Sequence, residues 1–251
     1  EMEWDRFANL ALTEEGVRRE AGAVYGEFRK GQADPDEQLW EALWADAFSV
    51  HPYRHSTLGI EDDIAAMPTG LARALRFRSQ HYRPDKALVV VTGDLNVMTT
   101  LRAVDETFGH WQVDAGATAV PAQTEPAQGR PQRRELGWDG PAVEPKMLMG
   151  WRTPAFEPGA VHSAALDVVM ELLSARDAPL YRQLVDEQAL AWRVWAWGVR
   201  NADPGLAQLS IDLRAGADPD AVLEAVDVAL HGIAALDDAA IQAATERMRR
   251  Q

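Results

Sequence analysis

Cysteine is absent from all 251 residues, which excludes a disulfide framework, a thiolate metal centre and a cysteine nucleophile. Any metal has to be held by histidine, aspartate or glutamate. Positive charge is scarce as well: 25 Lys and Arg stand against 39 Asp and Glu, a formal net charge of −14. A field of that sign repels phosphate backbones and anionic membrane surfaces, so no nucleic acid is expected as a partner. No stretch approaches the ~18 consecutive apolar residues of a membrane span. The opening "EMEWDRFANL" has neither the basic nor the apolar region of a secretory leader. The Gly-x-Ser-x-Gly elbow of serine hydrolases does not occur, and Gly93-Asp94 lacks the second glycine and the Lys-Ser/Thr of a phosphate loop.

Apolar residues make up 47% of the chain, enough for two packed units of ordinary size or one large one. The chain starts at Glu1 in mid-pattern and stops at "TERMRRQ" inside a helical pattern with no Gly or Pro to end it, so a piece of a longer polypeptide is expected. Thr13 followed by Glu14 and Glu15 starts a helix that runs to Lys30, before Gly31. A second helix follows from Asp34 or Asp36 to about "SVHPY", and residues 61 to 82 read as one short and one longer helix broken around Pro68 and Gly70. "ALVVVTGDL", residues 87 to 95, is a continuous apolar run into a turn, which predicts a buried strand. "NVMTTLRAVDETFGHW" is helical again.

From Val113 to Arg134 the composition turns to Ala, Gly, Pro and Gln, with Pro121, Pro126 and Pro131 barring regular structure. This divides the chain into a first domain over 1–112, a linker over 113–131 and a second domain over 132–251. The second domain reads as a strand at "KMLMGWRT", helices near 160–174 and 179–187, strands at "LAWRVWAWGVR" and "AQLSIDLRA" joined by "NADPG", and two final helices from Asp218 and Asp237. The fold class is α+β: two αβ units with mixed or antiparallel sheets covered by helices.

Within the first long helix, "REAGAVYGEF" sets Glu20 and Glu27 seven positions apart. That is close to two full turns, so both carboxylates share one face with Val24 between them. Glutamates on helices usually face water. The surrounding Ala21, Gly22, Ala23, Val24 and Gly26 read instead as too small and apolar for a wet face, and a carboxylate drawn toward burial needs a partner such as a metal ion.

"EWDRFANLALTEEGVRREAGAVYGEFRKGQADP", "AFSVHPYRHSTLGIEDDIAAM" and "HYRPDKALVVVTGDL", then "WRTPAF", "AALDVVMELLS" and "LYRQLVDEQALAWRV", together resemble the insulinase/pitrilysin-like zinc metallopeptidases, the inverted zincins. The resemblance runs over nearly the whole chain, in order. It implies that 1–112 is the C-terminal part of a catalytic-type domain and 132–251 the paired non-catalytic domain. In such proteins two His from an inverted His-x-x-Glu-His helix and a Glu from a following helix hold zinc. The Glu-x-x-x-Val-x-x-Glu pattern of that following helix falls on Glu20, Val24 and Glu27, which makes Glu27 the third metal ligand and Glu20 a supporting carboxylate behind it. No His-x-x-Glu-His occurs in these residues. The expectation is therefore a fragment of a zinc metalloendopeptidase, with zinc in the intact parent, none bound to this fragment and no activity in it alone. Its partners would be a peptide substrate and the other half-molecule or subunit, and periplasmic or secreted location follows by resemblance. The alternative is a non-catalytic structural or peptide-binding partner subunit of the same family.

His51 and His55 have metal-ligand spacing for a helix, but Pro52 between them makes a loop the expected reading. In "AWRVWAWGVR" the tryptophans alternate, as in a strand buried on both faces or in one whose second face is an aromatic wall for a peptide.

Overall fold

The computed structural model describes residues 2–111 and 124–249, which group into two compact units. Its helices and strands are α1 (Met2–Ala8), α2 (Glu14–Gln32), α3 (Pro35–Ala47), α4 (Glu61–Ala66), α5 (Leu71–His81), α6 (Val97–Phe108), β1 (Lys146–Arg152), α7 (Val161–Ser174), α8 (Pro179–Tyr181), β2 (Ala191–Gly198), β3 (Leu206–Leu213), α9 (Pro219–Ile233) and α10 (Asp238–Met248). Side chains cap the helix starts: Thr13 Oγ1 accepts from Gly16 N at 3.0 Å, and Asp34, Asn96, Asp218 and Asp237 each accept from a backbone N–H in their helix's first turn.

The first unit comprises residues 1–32 and 55–123, and α2 packs there against α4 and the 3₁₀ turn Met67–Thr69. Ala21 and Phe28 are the buried residues of α2, and Ile64 of α4 is fully buried. α1 is held by rings and by charge. Trp4 meets Phe108 and Trp111 edge-on at 5.6 and 5.9 Å, and Arg78 Nη2 donates to the carbonyls of Phe7 and Ala8 at 2.7 and 3.0 Å, which closes the C-terminal end of that helix.

Residues 87–95 correct the sequence reading. They form no strand, and Leu88, Val90 and Val91 are 87, 70 and 51% exposed. A strand apolar on both faces is stable only with hydrogen-bonded neighbours and cover on each side, and the described residues supply neither. Val90→Asp should therefore change the stability of the isolated chain by no more than about 0.5 kcal/mol. Chemical denaturation checks this, and a loss above ~2 kcal/mol would mean that the segment is buried.

The second unit comprises residues 33–54 and 124–251. Its sheet is antiparallel in the order β1-β3-β2, with Met149 opposite Leu209 and Leu209 opposite Ala196. On one face Ala207, Leu209, Ile211 and Leu213 join Val194 and pack with Leu173, Leu180, Leu184, Val222 and Val226 from the helices after β1 and β3. On the other face lies α3. Its Trp44 and Ala47, with Phe48 just after it, bury Leu206, and Trp44 Nε1 donates to the buried Gln208 Oε1 at 3.3 Å. Leu43 comes so close to Gly150 that a Cβ there would stand 3.1 Å from its methyl, so a larger residue at this crossing would require Leu43 to shift by a few tenths of an ångström. Helix α3 thus belongs with residues that follow it by a hundred positions, not with the helix before it. Of the expected linker, 113–123 lies outside the described residues, and 124–131 runs without regular structure in the second unit.

Candidate functional site

Helix α2 carries both sequence-predicted site residues. Glu20 and Glu27 are exposed, and the Glu20 carboxylate takes an ion pair from its neighbour Arg19 at 3.3 Å. Val24 is half-buried, between the buried Ala21 and Phe28. The small residues around the carboxylates do not mark burial: Gly22, Ala23, Tyr25 and Gly26 are exposed, and a Cβ placed on Gly22 or Gly26 would meet nothing within 4 Å. The inference from small residues to a dry face fails because the apolar stripe of α2 runs through Ala21 and Phe28. The glutamates lie beside that stripe.

A zinc site takes three or four protein ligands. Among the described residues no group of three His, Cys, Asp or Glu could hold a metal ion. Glu27 therefore has no pair of further candidate ligands grouped with it among the described residues. His51 and His55 stay apart in role as the proline between them predicts. His51 is buried, its Nδ1 accepts from Tyr53 N at 3.2 Å and its Nε2 lies 3.5 Å from the Asp203 carboxylate, while His55 Nδ1 lies 2.9 Å from Ser56 O.

The tryptophan strand is not buried on both faces. Trp192 and Trp195 are each more than half exposed, and the Arg214 guanidinium lies over the Trp192 ring at 3.8 Å. β2 is also an edge strand, without a neighbour on its outer side among the described residues.

The sequence reading missed one constellation. Glu125, in a segment read as linker, has a side chain only 8% exposed. Its Oε1 accepts from Ser49 N and Ser49 Oγ at 2.7 Å each, and its Oε2 from Val50 N at 2.8 Å and His51 N at 2.7 Å. Arg152 Nη2 adds an ion pair at 3.2 Å. Burial by itself would raise the Glu125 carboxyl, but the hydrogen bonds from His51, Ser49 and Val50 outweigh it and hold the group well below the usual carboxylate range. Nothing in the sequence distinguishes Glu125 from a solvated linker residue; its backbone donors lie more than seventy positions upstream and Arg152 lies 27 positions downstream.

The sequence profile of the peptidase M16 inactive domain matches residues 71–251. The chain belongs to the peptidase M16 family. The zinc protease PqqE of Helicobacter pylori is 27% identical over 207 residues, 81% of this M16 chain and 45% of the relative. The crystal structure of a protease from Helicobacter pylori superposes with a TM-score of 0.87 at 23% identity, covering 98% of this chain and 59% of that one. The periplasmic protease PqqL from Escherichia coli superposes at 0.69 with 15% identity, covering 97% of this chain and 27% of that one. The M16 chain therefore spans about half the length of the curated relative, and these likenesses in shape establish an M16-type half-fold of helices over a small antiparallel sheet. The profile match begins at α5, inside the first unit, so the matched region does not start at the expected linker.

Proposed function

We propose that these residues are the later part of one half-molecule of an M16 zinc metalloendopeptidase, that Glu27 is one of its metal ligands with Glu20 in support, and that the chain alone is inert. The observation that carries the reading is α2 itself: two carboxylates two turns apart on a helix flank that none of the described residues covers at Gly22 and Gly26, with no further metal-ligating cluster among them. One carboxylate cannot hold zinc at useful affinity, so the other ligands and the general base have to come from polypeptide outside these residues. The names of the relatives support zinc and proteolysis, and the periplasmic neighbour supports an exported location. Substrates on this reading are peptides. β2 offers them an open edge for backbone pairing with Trp192 and Trp195 beside it.

The test is zinc titration by calorimetry together with a fluorogenic peptide assay on the 251-residue chain. No stoichiometric zinc and no turnover are expected, whereas tight zinc with chelator-sensitive turnover would overturn the assignment. The alternative is a non-catalytic structural or peptide-binding partner subunit of the same family. A His-x-x-Glu-His in the sequence ahead of Glu1 decides for the enzyme, and its absence for the partner.

A further inference from the structure

Glu125 is bound as a ligand is bound. Three consecutive backbone N–H groups, Ser49 to His51, and the Ser49 hydroxyl converge on its carboxylate, and the Arg152 guanidinium closes the remaining side. These donors also have anchors other than the Glu125 carboxylate. The 49–51 turn continues from the C-terminal end of α3, where Phe48 N bonds Trp44 O at 3.0 Å, and His51 is anchored by Tyr53 N and faces Asp203. Arg152 is fixed by its place at the end of β1, by donation to Ala47 O, by Nη1 to Pro126 O at 3.2 Å, and by lying over the Phe48 ring at 4.7 Å. The segment that brings Glu125 has no regular structure, and its other ties to α3 are polar: Gln132 Nε2 to Asp46 O at 3.2 Å and the Arg134–Asp46 ion pair. Between that strap and the end of α3 runs an open cleft of about 480 Å³ lined by Asp46, Ser49, Gln128, Arg130 and Arg152.

We propose that the 49–51 turn and Arg152 form a preformed carboxylate-binding site, and that Glu125 is its built-in occupant, clasping the strap 124–134 and α3 into the second unit. Donors aligned in advance bind an oxyanion without reorganising, and charge-assisted bonds to backbone N–H groups are about twice as strong as neutral ones. A free carboxylate should therefore enter the site once the resident one is removed.

The experiment uses the 251-residue chain, as wild type, Glu125→Ala and Glu125→Gln, in thermal unfolding with sodium formate titrated against equal concentrations of sodium chloride. Removing one partner of a buried, hydrogen-bonded charge should lower the midpoint of Glu125→Ala on the order of 10 °C. Formate should then restore several degrees in a saturable way that chloride does not reproduce, with the wild type unresponsive. Glu125→Gln should lose the midpoint without regaining it in formate, because the amide fills the site. Equal responses of Glu125→Ala to formate and chloride, or a wild-type midpoint for that variant, would overturn the proposal. Should Glu125→Ala fail to fold, hydrogen exchange of the wild-type chain decides: amides 49, 50 and 51 are expected to be protected, and exchange at the rate of an open turn refutes the site.

Discussion

On the reading proposed above, changing Glu27 to Gln in a longer polypeptide that carries a His-x-x-Glu-His helix is expected to strip the metal and abolish peptide hydrolysis. On the proposed reading Glu27 supplies both a ligand atom and the negative charge that offsets the dication. Glutamine keeps the shape of the side chain and much of its hydrogen bonding, but a neutral amide oxygen is a poor zinc ligand. Glu20→Gln leaves the ligand set intact and removes only a supporting charge, for which metal affinity or activity typically falls about 10 to 100-fold. The order of the two effects is the test. Zinc content by atomic absorption and peptidase rate should both fall much further for Glu27→Gln. A Glu27→Gln enzyme with wild-type zinc and rate would leave α2 with an ordinary solvated flank, which its exposure already allows.

Trp44→Ala is expected to cost the second unit about 3 to 5 kcal/mol, the usual range for deleting a buried aromatic side chain. Trp44 is 3% exposed, stacks on Phe48 at 5.4 Å and meets Trp40 and Tyr53 at 5.2 and 5.9 Å, so its loss opens a void between α3 and the sheet. It also takes away the donor to Gln208 Oε1 in a residue that is fully buried and whose Nε2 has no partner among the described residues. Trp44→Phe keeps a ring against Phe48 and removes the N–H, and should cost roughly 1 to 3 kcal/mol. Urea unfolding followed by far-ultraviolet dichroism measures both. A loss below 1 kcal/mol for Trp44→Ala would mean that α3 is not a covering layer of the second unit.

Local signals carried most of the secondary structure. Asp34, Asn96, Asp218 and Asp237 each sit where a cap is needed and each caps, because capping is settled within three residues. The three strands of the second unit were readable because β-rich apolar runs there find partners in the same chain. "ALVVVTGDL" has an equally strong pattern and forms no strand, since a period of apolar residues states a need for neighbours without providing them. The candidate carboxylates were legible as a pair on one helix flank, but their exposure was not. Seven-residue spacing fixes that two side chains share a direction, and which direction is wet depends on what packs beside them, here Ala21 and Phe28. Glu125 was invisible for the same reason: its meaning lies in Ser49 to His51 and Arg152, none of them near it in sequence.

The place of α3 on the far face of the sheet also sets a schedule for synthesis. Trp44 and its partner Gln208 are 164 positions apart. At about 5 to 20 residues per second, α3 leaves the ribosome roughly ten to thirty seconds before the strand it must cover exists. During that interval Trp40, Trp44 and Phe48 have no sheet to lie on, and they are available to chaperones or to other nascent chains. A ribosome-bound intermediate stalled before β3 should therefore present a chaperone-binding surface at residues 40 to 48, well before the second unit has a core of its own.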